Sequence, residues 1–547
     1  MATSLDKKGQ AEPPLLSIRN LTIRGDTDDG PITIVDGVSI HVHRGEVLGL
    51  IGESGAGKST LGLAALGYFR AGCRPDGGQI LFDGTDLLGL SDAKRSALRG
   101  ARLAYVAQSA AASFNPAHRL TAQVTEVERV VLGKSNGDAG ERAVEMYGRL
   151  QLPDPAHIGA RFPHQVSGGQ LQRAMTAMAM APSPDLIVFD EPTTALDVTT
   201  QIDVLAAMRR ATRELGAAAI YITHDLAVVA QMADRIHVLR YGKTVEEAPT
   251  AQMLSSPQAD YTKTLWAVRQ HQRPVQAAPN AAAPPAAALE GVTAAYGNNT
   301  VLHDVSIQLH RGQTVAVVGE SGSGKSTAAR VFTGLLPPVG GRVTLGGQGV
   351  APRFTDRPRD QLRTLQMVYQ SADTALNPRL SVREIVGRPA AFYGGLSGAA
   401  LEKRVRGLLE MIELDPDIFI DRRPPALSGG QKQRIGLARA IAAEPVVLIC
   451  DEVTSALDQI VADEILKLID RLQHELDLAV MFITHDLATV RAVADHVVVM
   501  QHGRVVEQGA KGAVLTPPHE PYTETLLASV PEMDPEWLTR VLAERQA

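Results

Sequence analysis

Residues 52–60 read GESGAGKST, and nearly the same letters, GESGSGKST, return at residues 319–327. A short apolar run precedes each copy and a helix-compatible stretch follows it, so each copy is predicted to form a strand, a loop and a helix. Glycines at this spacing let backbone N–H groups close around a phosphate, and the start of the helix adds favourable partial charge. The sequence therefore predicts two phosphate-binding loops.

Three further segments follow each loop in the same order, and each is repeated 261 residues later. They are VSGGQ at 166–170 and LSGGQ at 427–431, FDEPTTALD at 189–197 and CDEVTSALD at 450–458, and ITHDLA at 222–227 and 483–488. Such self-similarity indicates a duplicated domain. We predict a first domain at residues 1–269, an Ala/Pro-rich linker at 270–287 and a second domain at 288–547.

Composition and apolar patterning set the class of protein. Runs such as LIVFDE and AAAIYITHD are almost continuous in apolar residues and alternate with helical patterns, which predicts an α/β fold with parallel strands covered by helices. No apolar run approaches the roughly 20 residues that span a bilayer, so any transport pathway is expected in other chains. A net charge of −6 gives no broad electrostatic reason to bind nucleic acid.

The two loops carry the residues expected to bind ATP phosphates and Mg²⁺. Lys58 and Lys325 should contact the β- and γ-phosphates, and Ser59 and Ser326 should offer hydroxyls to the metal. The full predicted set is Gly52, Ser54, Gly55, Gly57, Lys58, Ser59 and Thr60 in the first loop and Gly319, Ser321, Gly322, Gly324, Lys325, Ser326 and Thr327 in the second.

Each half also has an Asp-Glu pair after four apolar residues, which places the pair at the carboxyl end of a buried strand. Asp190 and Asp451 are predicted to hold Mg²⁺, and Glu191 and Glu452 to orient or deprotonate the attacking water. Phosphoryl transfer depends mainly on positioning and charge neutralisation. Such a pair therefore suffices for hydrolysis without a covalent nucleophile.

Two more polar side chains follow strand-like segments in each half. His224 and His485, in the repeated ITHD, are expected to reach the γ-phosphate and fix the water. Gln108 and Gln370 are expected to sense both the metal and the water. A single histidine at the end of a strand is usually structural, but its recurrence after the same acidic pair favours a site residue.

With these elements in this order, each half resembles the nucleotide-binding domain of an ABC transporter. SGGQ is the specific element, because many other P-loop ATPases carry the remaining parts. The resemblance implies a P-loop fold with a helical signature subdomain in each half. It also implies a second phosphate clamp, formed by Ser167, Gly168, Gly169 and Gln170 in the first half and by Ser428, Gly429, Gly430 and Gln431 in the second.

The resemblance further implies a head-to-tail pairing of the halves that holds two ATP molecules. The first implied site combines Lys58, Glu191 and His224 with Ser428 and Gly430, and the second combines Lys325, Glu452 and His485 with Ser167 and Gly169. The adenine pockets differ, because Tyr296 stands where such domains stack an aromatic ring and Gly25 aligns there in the first half. We therefore expect two competent sites with unequal nucleotide affinity.

The segments SFNPAHRLT at 113–121, ALNPRLSV at 375–382 and HEPYTETLLASVP at 519–531 are similar to those of peptide and nickel importer ATPases. This resemblance implies an energy-coupling subunit for di- or oligopeptide import at the cytoplasmic face of the cell membrane. Its implied partners are two transmembrane permease subunits and, indirectly, an extracytoplasmic substrate-binding protein. Membrane contact would be through the permease only, without nucleic acid.

The alternative is a tandem ABC ATPase that acts on ribosomes or DNA. Ribosome-associated members usually carry a long charged helical linker and SGGE, and DNA-repair members carry zinc-binding cysteine clusters. This chain has an Ala/Pro-rich linker, SGGQ and only two cysteines. A third possibility, ATP binding without hydrolysis, would require missing acids or histidines, and none is missing. The cargo is not specified by these residues.

Overall fold

The computed structural model describes residues 13–27, 30–193, 196–268, 284–455 and 457–544. The chain forms two compact units, unit 1 with Met1–Trp266 and Pro531–Ala547, and unit 2 with Ala267–Val530. Most of the predicted linker, residues 270–283, lies outside the described residues. The division differs from the predicted domains at the C-terminus, since the last residues of the chain belong to unit 1.

Unit 1 alternates strands and helices along most of its length. Its elements are β1 (Leu16–Thr27), β2 (Gly30–Val42), β3 (Val47–Gly52), α1 (Lys58–Ala65), β4 (Cys73–Phe82), β5 (Thr85–Asp86), α2 (Asp92–Leu98), β6 (Leu103–Val106), α3 (Ala110–Ser113), α4 (Leu120–Val124), α5 (Glu126–Val130), α6 (Asn136–Arg149), α7 (Gly168–Met180), β7 (Leu186–Asp190), α8 (Val198–Leu215), β8 (Ala218–Ile222), α9 (Leu226–Met232), β9 (Arg235–Arg240), β10 (Lys243–Pro249), α10 (Thr250–Ser255) and α11 (Asp260–Val268).

Unit 2 repeats this order. Its elements are β11 (Ala287–Tyr296), β12 (Asn299–Leu309), β13 (Thr314–Val318), α12 (Lys325–Phe332), β14 (Gly340–Leu345), β15 (Gln348–Gly349), α13 (Arg359–Thr364), β16 (Leu365–Val368), α14 (Ala372–Ala375), α15 (Val382–Gly394), α16 (Gly398–Met411), α17 (Pro416–Phe419), α18 (Gly429–Ile441), β17 (Val447–Asp451), α19 (Gln459–Glu475), β18 (Ala479–Ile483), α20 (Leu487–Val493), β19 (His496–Gln501), β20 (Arg504–Ala510), α21 (Lys511–Val514) and α22 (Pro521–Ala528). The last helix of the chain, α23 (Trp537–Glu544), belongs to unit 1.

The described residues of each unit form two sheets. The larger sheet has six strands, in the order β10-β9-β3-β8-β7-β6 in unit 1 and β16-β17-β18-β13-β19-β20 in unit 2. Its strands pair in parallel except at the β9–β10 and β19–β20 edges. The smaller sheet has four strands, and neighbouring strands are antiparallel. This sheet was not predicted from the sequence. The predicted α/β class is confirmed.

The central strands β7, β8, β13, β17 and β18 are buried at every position, as expected for strands covered on both faces. Their carboxyl ends therefore meet at one edge of each larger sheet, where the sequence places the acids and histidines. Helices α3–α7 lie between β6 and β7 in the chain, and α14–α18 between β16 and β17. These two segments are the helical subdomains that the resemblance implied.

Candidate ATP sites and family

The predicted phosphate-binding loop of unit 1 joins β3 to α1 and has an unusual backbone. Gly57, at the start of α1, has φ of +92°, and a Cβ added there would lie 2.7 Å from the carbonyl oxygen of Ile34. A residue with a side chain would be strained and would clash. The Lys58 ammonium donates to the carbonyls of Gly52 at 2.7 Å and Glu53 at 2.8 Å. The lysine therefore spans the loop.

Unit 2 builds the same loop between β13 and α12. Gly324 has φ of +102° at the start of the helix. The Lys325 ammonium donates to the carbonyls of Gly319 at 2.8 Å and Glu320 at 2.7 Å. Both lysines are almost fully buried, with 6% and 5% of their surface exposed. Two equally constructed phosphate loops thus occur in one chain.

A tyrosine supports each loop. The Tyr261 hydroxyl accepts a hydrogen bond from the backbone N–H of Glu53 at 3.2 Å, and the Tyr522 hydroxyl accepts one from Glu320 at 3.0 Å. The Arg240 guanidinium lies 4.5 Å from the centre of the Tyr261 ring. In the sequence, Tyr522 lies in the segment 519–531 that is similar to peptide-importer ATPases, and Tyr261 lies 261 positions earlier in the repeat. Their equal position in the repeat was the signal for a role shared by both sites.

An oxygen cluster suited to Mg²⁺ lies beside each loop. The Ser59 hydroxyl donates to Asp190 Oδ1 at 2.8 Å, and the Ser326 hydroxyl donates to Asp451 Oδ1 at 2.9 Å. Within the described ranges, no group of three or more His, Cys, Asp or Glu side chains is arranged to hold a metal. A hydroxyl and one carboxylate fit Mg²⁺, which keeps waters and takes phosphate oxygens as its other ligands. When bound, Mg²⁺ would neutralise charge on the phosphates.

The two clusters are not identical. The Tyr105 hydroxyl donates to Asp190 Oδ2 at 2.8 Å, so hydroxyls hold both oxygens of that carboxylate. Met367 occupies the same register position in unit 2, opposite β17, and a thioether cannot donate. Burial raises the pKa of Asp451. Tyr105 was not among the predicted site residues, although the sequence itself shows tyrosine in the first half and Met367 at the corresponding position of the second.

Glu191 follows Asp190 in a strained backbone conformation. Its φ is +48°, in the left-handed region that residues with side chains seldom adopt, and its N–H donates to the Ile222 carbonyl at 2.9 Å. Gln108 Nε2 donates to Glu191 Oε2 at 2.9 Å, and His224 Nδ1 lies 3.2 Å from Oε1. One turn of unusual geometry thus brings glutamate, glutamine and histidine together.

The same arrangement recurs in unit 2. Glu452 also has φ of +48°, and its N–H donates to the Ile483 carbonyl at 3.0 Å. Gln370 Nε2 donates to Glu452 Oε2 at 2.7 Å, while His485 Nδ1 lies 3.7 Å from Oε1. In both units the amide nitrogen of the glutamine is directed at the glutamate, and the metal role predicted for Gln108 and Gln370 remains a prediction.

Charge coupling within these clusters favours an ionised pair. Burial opposes the charge on His224, but the hydrogen bond and negative charge of Glu191 outweigh it and raise the pKa of the histidine. Contact with Glu452 raises the pKa of His485, and contact with His485 lowers the pKa of Glu452. An ionised glutamate can accept a proton from water, and a charged histidine attracts a phosphate.

Each signature segment forms the start of a helix in its own unit. Ser167 caps α7 by accepting from the Gln170 N–H at 3.3 Å, and Gln170 Oε1 accepts from the Ser167 N–H at 3.2 Å. A Cβ added at Gly169 would lie 2.2 Å from the Thr200 side chain of α8. The glycine therefore allows α7 and α8 to approach each other closely here. The 13-residue helix presents its positive end at this segment.

Unit 2 has the same cap. Ser428 accepts from the Gln431 N–H at 3.3 Å and Gln431 Oε1 accepts from the Ser428 N–H at 3.0 Å. The remaining predicted residues lie in these loops and helix starts, namely Ser54, Gly55, Thr60, Gly168, Ser321, Gly322, Thr327, Gly429 and Gly430. The structure thus brings together loop, acids, glutamine and histidine within each unit.

The predicted adenine positions differ as the sequence indicates. The Tyr296 side chain is 43% exposed at the end of β11, and Arg330 donates to its hydroxyl at 2.8 Å. At Gly25 a Cβ would lie 2.6 Å from the Ile34 Cδ1 atom, so this aliphatic side chain covers the glycine. Unit 2 therefore offers an exposed aromatic face at this position, and unit 1 offers none at Gly25.

Comparison with known proteins agrees with this geometry. Residues 35–194 and 302–455 match the ABC transporter family, and residues 506–547 match the oligopeptide/dipeptide transporter C-terminal region. The chain is 36% identical over 532 residues to the peptidoglycan transport ATP-binding protein YejF of Agrobacterium fabrum, which covers 94% of this chain and 96% of the relative. It is 34% identical over 562 residues to the glutathione import ATP-binding protein GsiA of Escherichia coli K12, covering 95% and 90%.

These matches extend over both units, and the first of them includes both phosphate loops and both acidic pairs. Among the described residues, no helix is both long and apolar enough to cross a membrane. By these family and sequence matches, the chain belongs to the ABC transporter family and is an ATPase with two nucleotide-binding domains.

Proposed function

We propose that this chain is the energy-coupling subunit of an importer for di- or oligopeptides. Its match to the oligopeptide/dipeptide transporter C-terminal region carries the proposal. The relatives support it, since one is named for peptidoglycan transport and another for glutathione import, and both cargoes contain peptide bonds. The partners in this proposal are two permease subunits and an extracytoplasmic substrate-binding protein, at the cytoplasmic face of the membrane.

Hydrolysis is assigned to the same groups in each unit. Lys58 and Lys325 hold the phosphates, Ser59 and Asp190 with their counterparts in unit 2 hold Mg²⁺, and Glu191 and Glu452 activate the water. The geometry supports this assignment, because each glutamate is oriented by both a glutamine and a histidine. The pairing of each signature segment with the phosphate loop of the other half remains part of the proposal.

Uptake by the assembled complex tests the function. The chain is co-expressed with candidate permease and substrate-binding proteins from the same organism, and uptake of labelled dipeptides, tripeptides and glutathione is measured. Import that requires ATP and stops in the Glu191→Gln/Glu452→Gln chain supports the proposal. A chain that co-purifies with ribosomes or DNA, and whose loss leaves peptide uptake unchanged, contradicts it.

A further inference from the structure

The end of the chain packs on unit 1, although the chain immediately before it builds unit 2. Helix α23 buries three apolar side chains, with Trp537 3%, Leu538 0% and Val541 6% exposed. They belong to the same hydrophobic core as side chains of α8 and α9 in unit 1. Burial of this extent is typical of core residues and not of a surface tail. Residues 531–544, which we call the C-terminal clamp, are thus part of the core of unit 1.

A buried glutamine anchors the backbone of the clamp. Gln231, in α9, is 3% exposed, and its Nε2 donates to the carbonyls of Glu532 at 2.9 Å and Asp534 at 2.8 Å. Its Oε1 accepts from the N–H of Leu538 at 3.0 Å. Both amide hydrogens and the carbonyl oxygen are therefore used by the clamp. Without these partners, the buried amide would lower the free energy of unfolding, because its polar atoms would have lost their hydrogen bonds to water.

The receiving surface is specific to unit 1. Gln231 and Arg209 both hold the clamp, since Arg209 donates to the Thr539 hydroxyl at 3.0 Å. The residues 261 positions later are Ala492 and Asp470, which cannot make these bonds. Helix α19 of unit 2 also carries larger side chains than α8 of unit 1, because Leu468 and Leu472 stand at the positions of Ala207 and Ala211. In the sequence, the positions 261 before the clamp are the Ala/Pro-rich residues 270–283, which do not repeat its letters.

We propose that the clamp is a second connection that keeps the two units together when no nucleotide is bound. The chain leaves unit 1 at Trp266 and returns to it at Pro531, so the sequence of unit 2 is held at both ends. A second attachment within one chain acts at high effective concentration and persists when other contacts open. This inference does not depend on the cargo or on import.

Cleavage of the linker tests the clamp directly. A protease site is inserted between residues 270 and 283 of the full chain, and the purified protein is cut in EDTA without nucleotide. Gel filtration then shows whether the fragments separate. We expect the cut chain to elute as one species close to the intact mass of 58.3 kDa. Leu538→Asp, which places a charge in the core, and a chain that ends at Val530 should both lose this species and give two smaller fragments.

Matched variants distinguish docking from general damage. Ala543→Asp adds the same charge to an exposed position of α23 and should leave the fragments together. Gln231→Ala, on the receiving side, should weaken the association at least several-fold, whereas Ser255→Ala, at an exposed position of unit 1, should not. The inference is overturned if the unaltered fragments separate after cleavage, or if the chain that ends at Val530 stays associated as well as the full chain.

Discussion

The hydroxyl of Tyr261 accepts a hydrogen bond at 3.2 Å from the backbone N–H of Glu53, at the start of the first phosphate loop. Tyr522 makes the same bond to Glu320 in the second loop, at 3.0 Å. Each tyrosine lies at the start of a helix after the last strand of its sheet. These tyrosines therefore have a structural role, because each holds the backbone of a predicted phosphate-binding loop.

Removing this hydroxyl should weaken ATP binding. Tyr261→Phe and Tyr522→Phe keep the ring but leave the loop N–H without its partner, a loss of about 0.5–1.5 kcal/mol. We expect a roughly two- to tenfold higher KM for ATP, with a smaller change in kcat. Steady-state ATPase kinetics measure both. Tyr68→Phe, at a tyrosine that is 45% exposed, is the control and should change neither value.

The metal clusters should respond differently to one substitution. Tyr105→Phe removes one of the two hydroxyls that hold Asp190, and we expect the first site to need a higher Mg²⁺ concentration. Titration of ATPase activity with Mg²⁺ in the Glu452→Gln background isolates that site. Met367→Leu, at the matching position of unit 2, should leave the titration unchanged. An unaltered Mg²⁺ midpoint for Tyr105→Phe would exclude this role of the tyrosine.

Because of the exposed ring of Tyr296, the site that contains it should bind ATP more tightly than the other site. Stacking of a base on an aromatic ring contributes about 1–3 kcal/mol, so Tyr296→Ala should weaken binding at one site by roughly five- to 150-fold. Calorimetry of the Glu191→Gln/Glu452→Gln chain with Mg-ATP should resolve two affinities that become more alike in this variant. Tyr296→Phe, which keeps the ring, should behave as the parent chain.

A buried ion pair between β9 and β10 predicts a pH dependence of stability, and the described residues of unit 2 show no such pair at the matching positions. His237 of β9 is fully buried, and its Nδ1 lies 2.6 Å from Oε2 of Glu247 in β10; Arg235 pairs with the other oxygen of this carboxylate. Burial opposes the charge, but His237 and Arg235 hold the pKa of Glu247 below its ordinary value. Such a group stabilises the fold above its unfolded pKa, and this stabilisation is lost as the pH falls through the lowered folded value.

Glu247→Gln should therefore lower the melting midpoint of unit 1 at pH 7, where about 1 kcal/mol corresponds to about 2–4 °C. The difference from the parent chain should shrink as the pH falls below about 4.3. Scanning calorimetry across this range measures it. Gln508→Glu places a carboxylate at the matching position of unit 2, opposite Val498, and should give no stabilisation. An equal midpoint at pH 7 for Glu247→Gln would contradict the ion-pair account.

The repeat allowed the strand-loop-helix order, the parallel sheet and the identities of the acids and histidines to be predicted from the sequence. Apolar runs that end in acid leave few alternatives for a buried strand. The φ of +48° at Glu191 and Glu452 was not predictable, because no glycine marks the strained position and the surrounding structure imposes it.

The contacts between residues far apart in the chain could not be predicted from the sequence either. The bond from Tyr261 to the phosphate loop joins residues 208 positions apart, and Gln231 binds residues some 300 positions later in the chain. Neither contact leaves a local periodicity. A helix such as α23 shows an apolar face in its sequence, but the pattern alone does not indicate which unit that face packs against.

The central claim is that both glutamates serve working ATP sites, and turnover of three variants in the assembled complex tests it most directly. Because general-base catalysis contributes about 10²-fold or more, Glu191→Gln and Glu452→Gln should each remove at least about half of the ATPase rate, and the double variant should retain about 1% or less. Glu53→Gln is the control. It changes a glutamate side chain in the phosphate loop but keeps the backbone groups that contact Lys58 and Tyr261, so most of the ATPase rate should remain. If either single site variant turned over ATP at the parental rate, the claim of two competent sites would be wrong.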